Sequence, residues 1–403
     1  MRNLLAFIVV SSIWLASLSG VRANTLPLVK PEDRGMDPDH LSLVDSLVYD
    51  AIESGDTPGA VLAIVKEDAI VYRKAYGSMQ YTGDTLSLDY RTIFDLASLT
   101  KPVATATAIM KLVETGRLLL SDPVSKYLEV FPEYERSDSL FAFVPDLKQL
   151  LTHTSGFPSY ARVEDLQDNY GAATADSMIT YLNTHPSEYA PDSTDIFHYS
   201  CPGFIMLQRV VESVTEVDMA TWTHRHIFEP LGMDDTFYLP ETVLADRIAP
   251  TVDKDQLGVR PGIVHDPLAR EIMLGVSGNA GLFSTADDLA LFAAMMLNEG
   301  ERNGVRVLSP ASVRAMTTLP DGKERFGRGL GWDLSSPYAG NQGDLFGPNA
   351  YGHTGYTGTS MVLDPDSRTA IILLTNRVFP DDTGEIGDLR AKVANVVAAS
   401  VIE

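Results

Sequence analysis

Two residues at a short spacing could together perform nucleophilic catalysis. Ser98 and Lys101 form the single Ser-x-x-Lys segment of the 403-residue chain. Side chains three residues apart share one face of a helix, so the lysine amine can reach the serine hydroxyl. That hydroxyl becomes an effective nucleophile only when a base takes its proton, and a lysine is such a base when burial lowers its pKa. Because the neighbouring residues are mostly apolar, we expect Lys101 to be buried with a lowered pKa.

Two later segments carry further groups of this kind. Tyr199 lies in residues 197–203, just before an apolar helix, where its hydroxyl can carry a proton. Residues 353–358, with the sequence His-Thr-Gly-Tyr-Thr-Gly, precede a strand. Small residues there allow a substrate to lie against backbone N–H groups that stabilise an oxyanion. Taken singly, the three segments also fit an ordinary helix start, a buried tyrosine and a glycine-rich turn, so only their combination indicates catalysis.

Other common catalytic signatures are absent from the sequence. It contains neither the Gly-x-Ser-x-Gly elbow of the α/β-hydrolases nor a Gly-x-x-x-x-Gly-Lys phosphate loop. His224 and His226 are two residues apart and lack the additional acid and histidine of a zinc hydrolase. We therefore expect neither a metal nor an organic cofactor.

The surrounding elements indicate how these groups are positioned. Apolar residues at helical spacing predict helices over residues 37–54, 105–115, 204–214, 287–298 and 388–400. Strand-like runs predict a hairpin of residues 60–66 with 69–76, and strands at 329–334, 360–363 and 370–375. The expected fold is α/β, of the α+β type: an antiparallel sheet flanked by the terminal helices, with an inserted all-helical region. The sheet part covers about residues 35–95 and 328–403, the helical part about 96–327, and the active site lies between them.

The N-terminus and the composition bear on location and partners. Residues 4–20 are almost all apolar or small, follow Arg2 and precede Val21-Arg22-Ala23, which predicts a signal peptide of residues 1–23 and export to the periplasm or the medium. An uncleaved membrane anchor is the alternative. Cys201 is the single cysteine, so no intramolecular disulfide forms. A net charge of −23 disfavours binding to nucleic acid and, after signal cleavage, to anionic membranes.

The three segments, in this order, resemble the signature of the penicillin-recognising serine hydrolases. That β-lactamase-related superfamily includes class C β-lactamases, low-molecular-weight penicillin-binding proteins that are DD-peptidases, and esterases. Its pattern is Ser-x-x-Lys, then Tyr-x-Asn, then Lys-Thr-Gly or His-Thr-Gly. Here the pattern appears as Ser98 to Lys101, Tyr199 to Cys201, and His353-Thr354-Gly355. Residues 94–101, 147–156 and 278–289 also match the family, and the resemblance covers about residues 35–395, which we expect to form the catalytic domain.

The resemblance implies a role for each of these residues. Ser98 would attack a carbonyl and form an acyl-enzyme, while Lys101 and Tyr199 share general-base and general-acid duty. The backbone N–H groups of Ser98 and Tyr356 would form the oxyanion hole. His353 would take the place of the family lysine and aid the proton network or a substrate carboxylate. The substrate-binding positions implied in this way are Cys201, Thr354, Gly355 and Tyr356.

Two departures from the pattern bear on the substrate. Cys201 stands where β-lactamases and peptidases carry asparagine, and a thiol is a weak hydrogen-bond partner. His353 offers a weaker, pH-dependent charge than lysine does. The resemblance therefore implies an exported serine hydrolase that acts on an ester, an amide or a D-amino-acid peptide. The alternatives are a true β-lactamase and a non-catalytic protein that binds β-lactams or cell-wall peptides.

Overall fold

The computed structural model describes residues 25–80, 87–129, 144–184, 197–251, 261–322 and 324–402, and the predicted signal peptide, residues 1–23, lies outside them. The strands are β1 (Gly59–Lys66), β2 (Ala69–Gly77), β3 (Phe94–Asp95), β4 (Phe237–Tyr238), β5 (Leu282–Ser284), β6 (Glu301–Arg302), β7 (Val305–Arg306), β8 (Tyr351–Thr354), β9 (Ser360–Asp364) and β10 (Thr369–Thr375). The helices are α1 (Pro38–Leu41), α2 (Val44–Glu53), α3 (Thr107–Glu114), α4 (Leu147–Leu151), α5 (Val163–Tyr170), α6 (Ala175–Thr184), α7 (Cys201–Thr215), α8 (Met219–Thr223), α9 (Glu229–Leu231), α10 (Ala286–Leu297), α11 (Pro310–Met316) and α12 (Gly387–Ser400). Within these ranges, no helix combines the length and the apolar character that crossing a bilayer requires.

The main sheet joins the two ends of the chain, as the sequence predicts. Its five antiparallel strands lie in the order β2-β1-β10-β9-β8. β1 and β10 are buried along their whole length, which explains why both are nearly continuous apolar runs. Successive residues of β1 point to opposite faces. Val61, Ala63 and Val65 enter one hydrophobic core, whereas the residues between them enter another.

The terminal helices cover one face of this sheet. α2 and α12 contact each other and share a core with alternate residues of β1, so the predicted flanking helices are confirmed. The chain enters α1 at Asp37, whose carboxylate accepts hydrogen bonds from the backbone N–H groups of Asp39 and His40. The predicted helix 37–54 is interrupted at residues 42–43, between α1 and α2.

The inserted region packs on the other face and is mainly helical. α10 is buried along its entire length and contacts β1 and β10. The region also contains strands that the sequence does not predict: β3, β5 and β4 form a small sheet, and β6 pairs with β7. These strands have only two or three residues, too few to show the alternation of apolar and polar residues from which a strand is inferred.

The predicted strand at residues 329–334 is wrong. The segment folds back on itself, with the Gly329 N–H donating to the Trp332 carbonyl at 3.0 Å. Gly331, at φ 85°, has a conformation that a regular strand does not contain. The apolar side chains of Leu330 and Trp332 are buried in the core rather than in a ladder. Only Asp333 continues the sheet, through a bridge to Gly352 of β8.

Candidate active site

Ser98 lies on a tight turn that connects β3 to the helical segment Lys101–Ala106. This segment has π-helical hydrogen bonding and continues into α3, so the helix predicted from residue 105 begins earlier. Lys101 Nζ donates a hydrogen bond to Ser98 Oγ at 2.9 Å. Ala97, immediately before the serine, has φ 45°. This left-handed conformation is unfavourable for a residue with a Cβ and persists only where the surroundings impose it.

Asp95 supplies part of that constraint. Its Oδ1 accepts a hydrogen bond from the Ala97 N–H and its Oδ2 accepts one from the His265 N–H, both at 2.8 Å. The Asp95 carbonyl also accepts from Thr357 Oγ1 at 2.7 Å. Burial raises the pKa of Asp95 to about 6, although the two N–H groups favour its ionised form. The sequence analysis missed Asp95, although an acid within the apolar run Phe94-Asp95-Leu96 indicates a buried carboxylate.

Lys101 is fully buried, as predicted, but its pKa does not follow the prediction. Besides Ser98, its ammonium donates to the Asn279 carbonyl at 2.9 Å and lies 3.5 Å from Cys201 Sγ. The ammonium also lies 5.0 Å from the centroid of the Tyr199 ring. Burial alone lowers the pKa of Lys101, but the nearby Cys201 and Tyr199 side chains outweigh it and raise the pKa above its ordinary value. The expectation of a lowered pKa is therefore wrong, because it considered burial without the acceptors that surround the ammonium.

Tyr199 immediately precedes α7 and is held by the end of that helix. Ser200 begins the helix by accepting a hydrogen bond from the Gly203 N–H on its Oγ at 3.2 Å. The Ser200 N–H donates to His153 Nδ1 at 3.0 Å. Because Nδ1 accepts this bond, it carries no proton, and burial lowers the pKa of His153 well below its ordinary value. The neutral imidazole stacks on the Tyr199 ring with centroids 4.2 Å apart, which fixes the phenol beside Lys101.

His353, on β8, lies on the other side of Tyr199, with ring centroids 6.2 Å apart. Its Nδ1 is 2.9 Å from the Thr354 carbonyl, and since a carbonyl only accepts, Nδ1 carries the proton. Burial lowers the pKa of His353 well below its ordinary value, so the ring is neutral and Nε2 is an acceptor. The positive charge that the sequence analysis expected here is absent. His353 therefore cannot attract a substrate carboxylate as an imidazolium.

Residues 354–359 form a turn that lies against the serine. Arg390 Nη2 donates to the carbonyls of Gly355 and Thr359 at 3.0 and 2.9 Å. In a trans peptide the C=O and the following N–H point in opposite directions, so the Tyr356 N–H points away from Arg390. A Cβ on Gly355 would lie 2.1 Å from Thr359 Oγ1 and 2.3 Å from the Leu96 carbonyl. Only glycine permits this approach between the turn and the residues that precede Ser98.

Most of the predicted site residues meet at one cavity of about 250 Å³. It is lined by Ser98, Tyr199, Arg328, Asp333, Tyr338, His353, Thr354, Gly355, Tyr356, Arg377 and Arg390. Lys101 and Cys201 contact each other behind Ser98. The structure thus brings together every predicted site residue. The sequence analysis missed the three arginines, because no motif marks them and their segments are distant from Ser98 in sequence.

An antiparallel sheet with an inserted helical region, and a cavity with a serine–lysine pair, define a serine hydrolase of the β-lactamase and penicillin-binding-protein fold. The β-lactamase family model matches residues 44–395, and the chain belongs to this family. It is 32% identical to a putative D-alanyl-D-alanine carboxypeptidase of Escherichia coli O157:H7, over 90% of this chain and 88% of that protein. It is 33% identical to an N-acetylmuramyl-L-alanine amidase of Bacillus subtilis strain 168, over 84% and 81%.

Solved structures share the fold at lower sequence identity. EstCE1, a hydrolase with promiscuous acyltransferase activity, superposes with a TM-score of 0.71 at 21% identity, over 89% of this chain and 99% of that one. The octameric penicillin-binding protein homologue from Pyrococcus abyssi gives a TM-score of 0.66 at 24% identity, over 89% and 77%. At this identity the likeness establishes the fold alone.

The role of Asp95 can be tested by Asp95→Asn. Because its pKa of about 6 exceeds the 3.8 of an exposed aspartate, the folded protein retains a proton between these pH values that the unfolded chain has lost. The free energy of unfolding of the wild type should therefore fall relative to the variant as pH rises from about 4 to 6, by about 3 kcal/mol in total. Urea unfolding across this range measures the difference.

The control is Asp388→Asn, at a carboxylate that is 90% exposed. If the difference in the free energy of unfolding between wild type and Asp95→Asn stays constant from pH 4 to 6, the pKa of Asp95 is not raised by burial.

Proposed function

We propose that this chain is an exported hydrolase that cleaves an amide bond of a cell-wall peptide through an acyl-enzyme on Ser98. Export would use residues 1–23 as a cleaved signal, and residues 35–395 would form the catalytic domain. The observation that carries the proposal is the 2.9 Å contact between Lys101 Nζ and Ser98 Oγ at a cavity lined by Tyr199 and His353. It supplies a nucleophile, a proton acceptor and a space for the acyl group in one place.

In the first step, Ser98 Oγ attacks the substrate carbonyl carbon while its proton passes to the pair formed by Lys101 and Tyr199. Since Lys101 favours the ammonium form, it can accept that proton only when Tyr199 enters the reaction as a phenolate and takes a proton from the ammonium. The reactive pair therefore holds one proton fewer than an ammonium plus a phenol. The serine proton fills this vacancy, and Tyr199 then donates a proton to the departing amine.

The developing oxyanion needs hydrogen-bond donors that are already in place. We assign this role to the backbone N–H groups of Ser98 and Tyr356. Support comes from Arg390, which holds the Gly355 carbonyl and thereby the orientation of the Tyr356 N–H. Water then attacks the acyl-enzyme, its proton enters the same Lys101–Tyr199 pair, and Ser98 is released protonated. His353 Nε2, which has no hydrogen-bond partner among the described residues, would accept a hydrogen bond from the substrate during these steps.

The amide preference rests on the relatives, whereas Cys201 bears on how the side chain of the substrate is held. The names of the two relatives, at 32% and 33% identity, refer to bonds of alanine in D-alanyl-D-alanine and N-acetylmuramyl-L-alanine. Cys201 Sγ lies beside Lys101 in the position of the family asparagine, and burial raises the pKa of its thiol. A neutral thiol binds the amide side chain of a β-lactam or of a peptide poorly. The second candidate substrate is an ester, because an alkoxide departs more readily than an amine and Cys201 offers no amide to hold a peptide side chain.

The nucleophile and its base can be tested with a fluorescent fluorophosphonate. Ser98→Ala should abolish labelling. Lys101→Arg should slow labelling by about 100-fold or more, because an arginine does not release its proton and cannot relay one. Labelling rates measured by gel fluorescence, with thermal unfolding to confirm folding, give the comparison.

Ser42→Ala and Lys392→Arg, at exposed positions outside the cavity, serve as matched controls and should label at the wild-type rate. Persistent labelling of Ser98→Ala would refute the proposed nucleophile. A near-normal rate for Lys101→Arg would refute the proton relay.

The substrate class can be tested with a panel of N-acetylmuramyl-L-alanine, acetylated D-alanyl-D-alanine, p-nitrophenyl acetate and nitrocefin. We expect release of alanine from at least one of the two amides. Nitrocefin turnover should be slow or absent, because Cys201 offers no amide to the β-lactam side chain. Liquid chromatography follows the amides and absorbance follows the others. Rapid nitrocefin hydrolysis with both amides intact would instead identify a β-lactamase.

A further inference from the structure

A hydrogen-bond acceptor is buried in the wall of the cavity without a donor. His353 is 4% exposed and lines the cavity. Its Nδ1 carries the proton that is donated to the Thr354 carbonyl at 2.9 Å, so Nε2 of the neutral ring carries only a lone pair. Nε2 has no hydrogen-bond partner among the described residues. A buried acceptor without a donor is costly, and a ligand in the cavity is the natural source of one.

The groups around His353 keep its ring neutral. Burial lowers its pKa, and the positive charges of Arg328, Lys101 and Arg390 lower it further. The hydrogen bond to the Thr354 carbonyl acts in the opposite direction and does not outweigh them. Nε2 therefore remains an acceptor. A lysine, which the family pattern also allows at this position, would present donors alone.

The position of His353 places this acceptor beside the leaving part of the substrate. In the proposed reaction Tyr199 donates a proton to the departing amine, so the leaving part lies against Tyr199. The rings of Tyr199 and His353 have centroids 6.2 Å apart, and β8, which carries His353, contacts the turn that carries Ser98. The cavity has a volume of about 250 Å³. In so small a space we expect the first polar group beyond the cleaved bond to reach Nε2.

The charges of the cavity lining do not call for an anion at this place. Two of the three arginines in the lining lie beside an acid: Arg328 is 3.5 Å from Asp333, and Arg377 is 3.2 Å from Asp382. The third, Arg390, donates its Nη2 to two backbone carbonyls. An anion beside the imidazole would meet a lone pair rather than a donor. A neutral group that brings an N–H suits the position better.

We propose that His353 Nε2 accepts a hydrogen bond from an amide N–H just beyond the cleaved bond, so that the enzyme prefers to cut within a peptide rather than before a free carboxyl end. The inference rests on the proposed function and deepens it. A peptide that continues past the leaving residue carries such an N–H at its next amide. A terminal carboxylate or an ester at the same place carries none.

Thioesters that differ in one N–H test the proposal. Three N-acetyl-D-alanyl thioesters release, in turn, N-methyl-mercaptoacetamide, methyl mercaptoacetate, in which oxygen replaces the N–H, and mercaptoacetate. A thiol reagent follows each reaction. The kcat/KM of the wild type should be at least about tenfold higher for the amide than for the methyl ester, because the ester leaves the buried acceptor unpaired. The carboxylate should also have a lower kcat/KM than the amide. These ratios need no variant, so they do not depend on whether a variant folds.

Variants assign the preference to His353. His353→Phe keeps a planar ring without the acceptor, so the kcat/KM ratio of the amide to the methyl ester should fall close to one. His353→Lys offers donors but no acceptor and should bring this ratio to one or below. His224→Lys, at an exposed histidine outside the cavity, should keep the wild-type ratio. A wild-type ratio near one, an unchanged ratio in either folded His353 variant, or a carboxylate that reacts faster than the amide overturns the proposal.

Failure of the proposed function has a different signature. In that case no thioester is hydrolysed and the fluorophosphonate does not label Ser98, and the inference fails with it. If Ser98 is labelled but no thioester turns over, protection from labelling by the N-methylamide and by the methyl ester of N-acetyl-D-alanyl-D-alanine gives the comparison. Stronger protection by the amide, lost in His353→Lys, supports the assignment. Equal protection, or none, contradicts it.

Discussion

The buried ammonium of Lys101 is the interaction on which the rest of the site depends. An isolated charge in a protein interior costs several kcal/mol unless neighbouring groups replace the water that it loses. Here the acceptors come from three separate parts of the chain: Ser98 on the nucleophile turn, Asn279 before β5, and Tyr199 with Cys201 at the start of α7. The fold must bring these segments together, because displacement of any one of them removes an acceptor from the ammonium.

The sheet supplies the opposite wall of the cavity. Hydrogen bonds connect this wall to the turn that carries Ser98. Thr357 Oγ1 and Thr359 Oγ1 donate to the carbonyls of Asp95 and Leu96 at 2.7 and 2.9 Å. Residues just before Ser98 are thereby fixed to the turn between β8 and β9. Since β10, next to β9, pairs with β1 along its length, both ends of the chain contribute to the position of the serine. Neither the inserted region nor the sheet could form the site alone.

The sequence predicts the parts of this arrangement that depend on local pattern. β1 and β10 are long apolar runs, and α7 and α10 are long apolar helices, so their existence follows from the sequence. The strand expected at residues 329–334 fails because Gly331 turns the chain, a property that apolar composition does not reveal. The Ser98–Lys101 pair could be found from its spacing, and Tyr199 and His353 from their order along the chain.

The electrostatics of the site could not be predicted in the same way. The pKa of Lys101 depends on Cys201 and Tyr199, which are about 100 residues away. The neutral state of His353 depends on burial and on the nearby charges of Arg328 and Lys101. Arg328 immediately precedes the segment 329–334, whose secondary structure was predicted wrongly. In each case the decisive contact joins segments that only the folded chain brings together.

The central claim is that Lys101 is a fully partnered ammonium, and ¹⁵N NMR of the Lys101 Nζ tests it most directly. The Lys101→Arg variant assigns the resonance in uniformly labelled protein. The account predicts an ammonium signal at pH 7 whose titration midpoint lies above 10.5 and falls in Tyr199→Phe, because that variant removes one acceptor. An amine signal at pH 7, or a midpoint below 10.5 that Tyr199→Phe leaves unchanged, would contradict it.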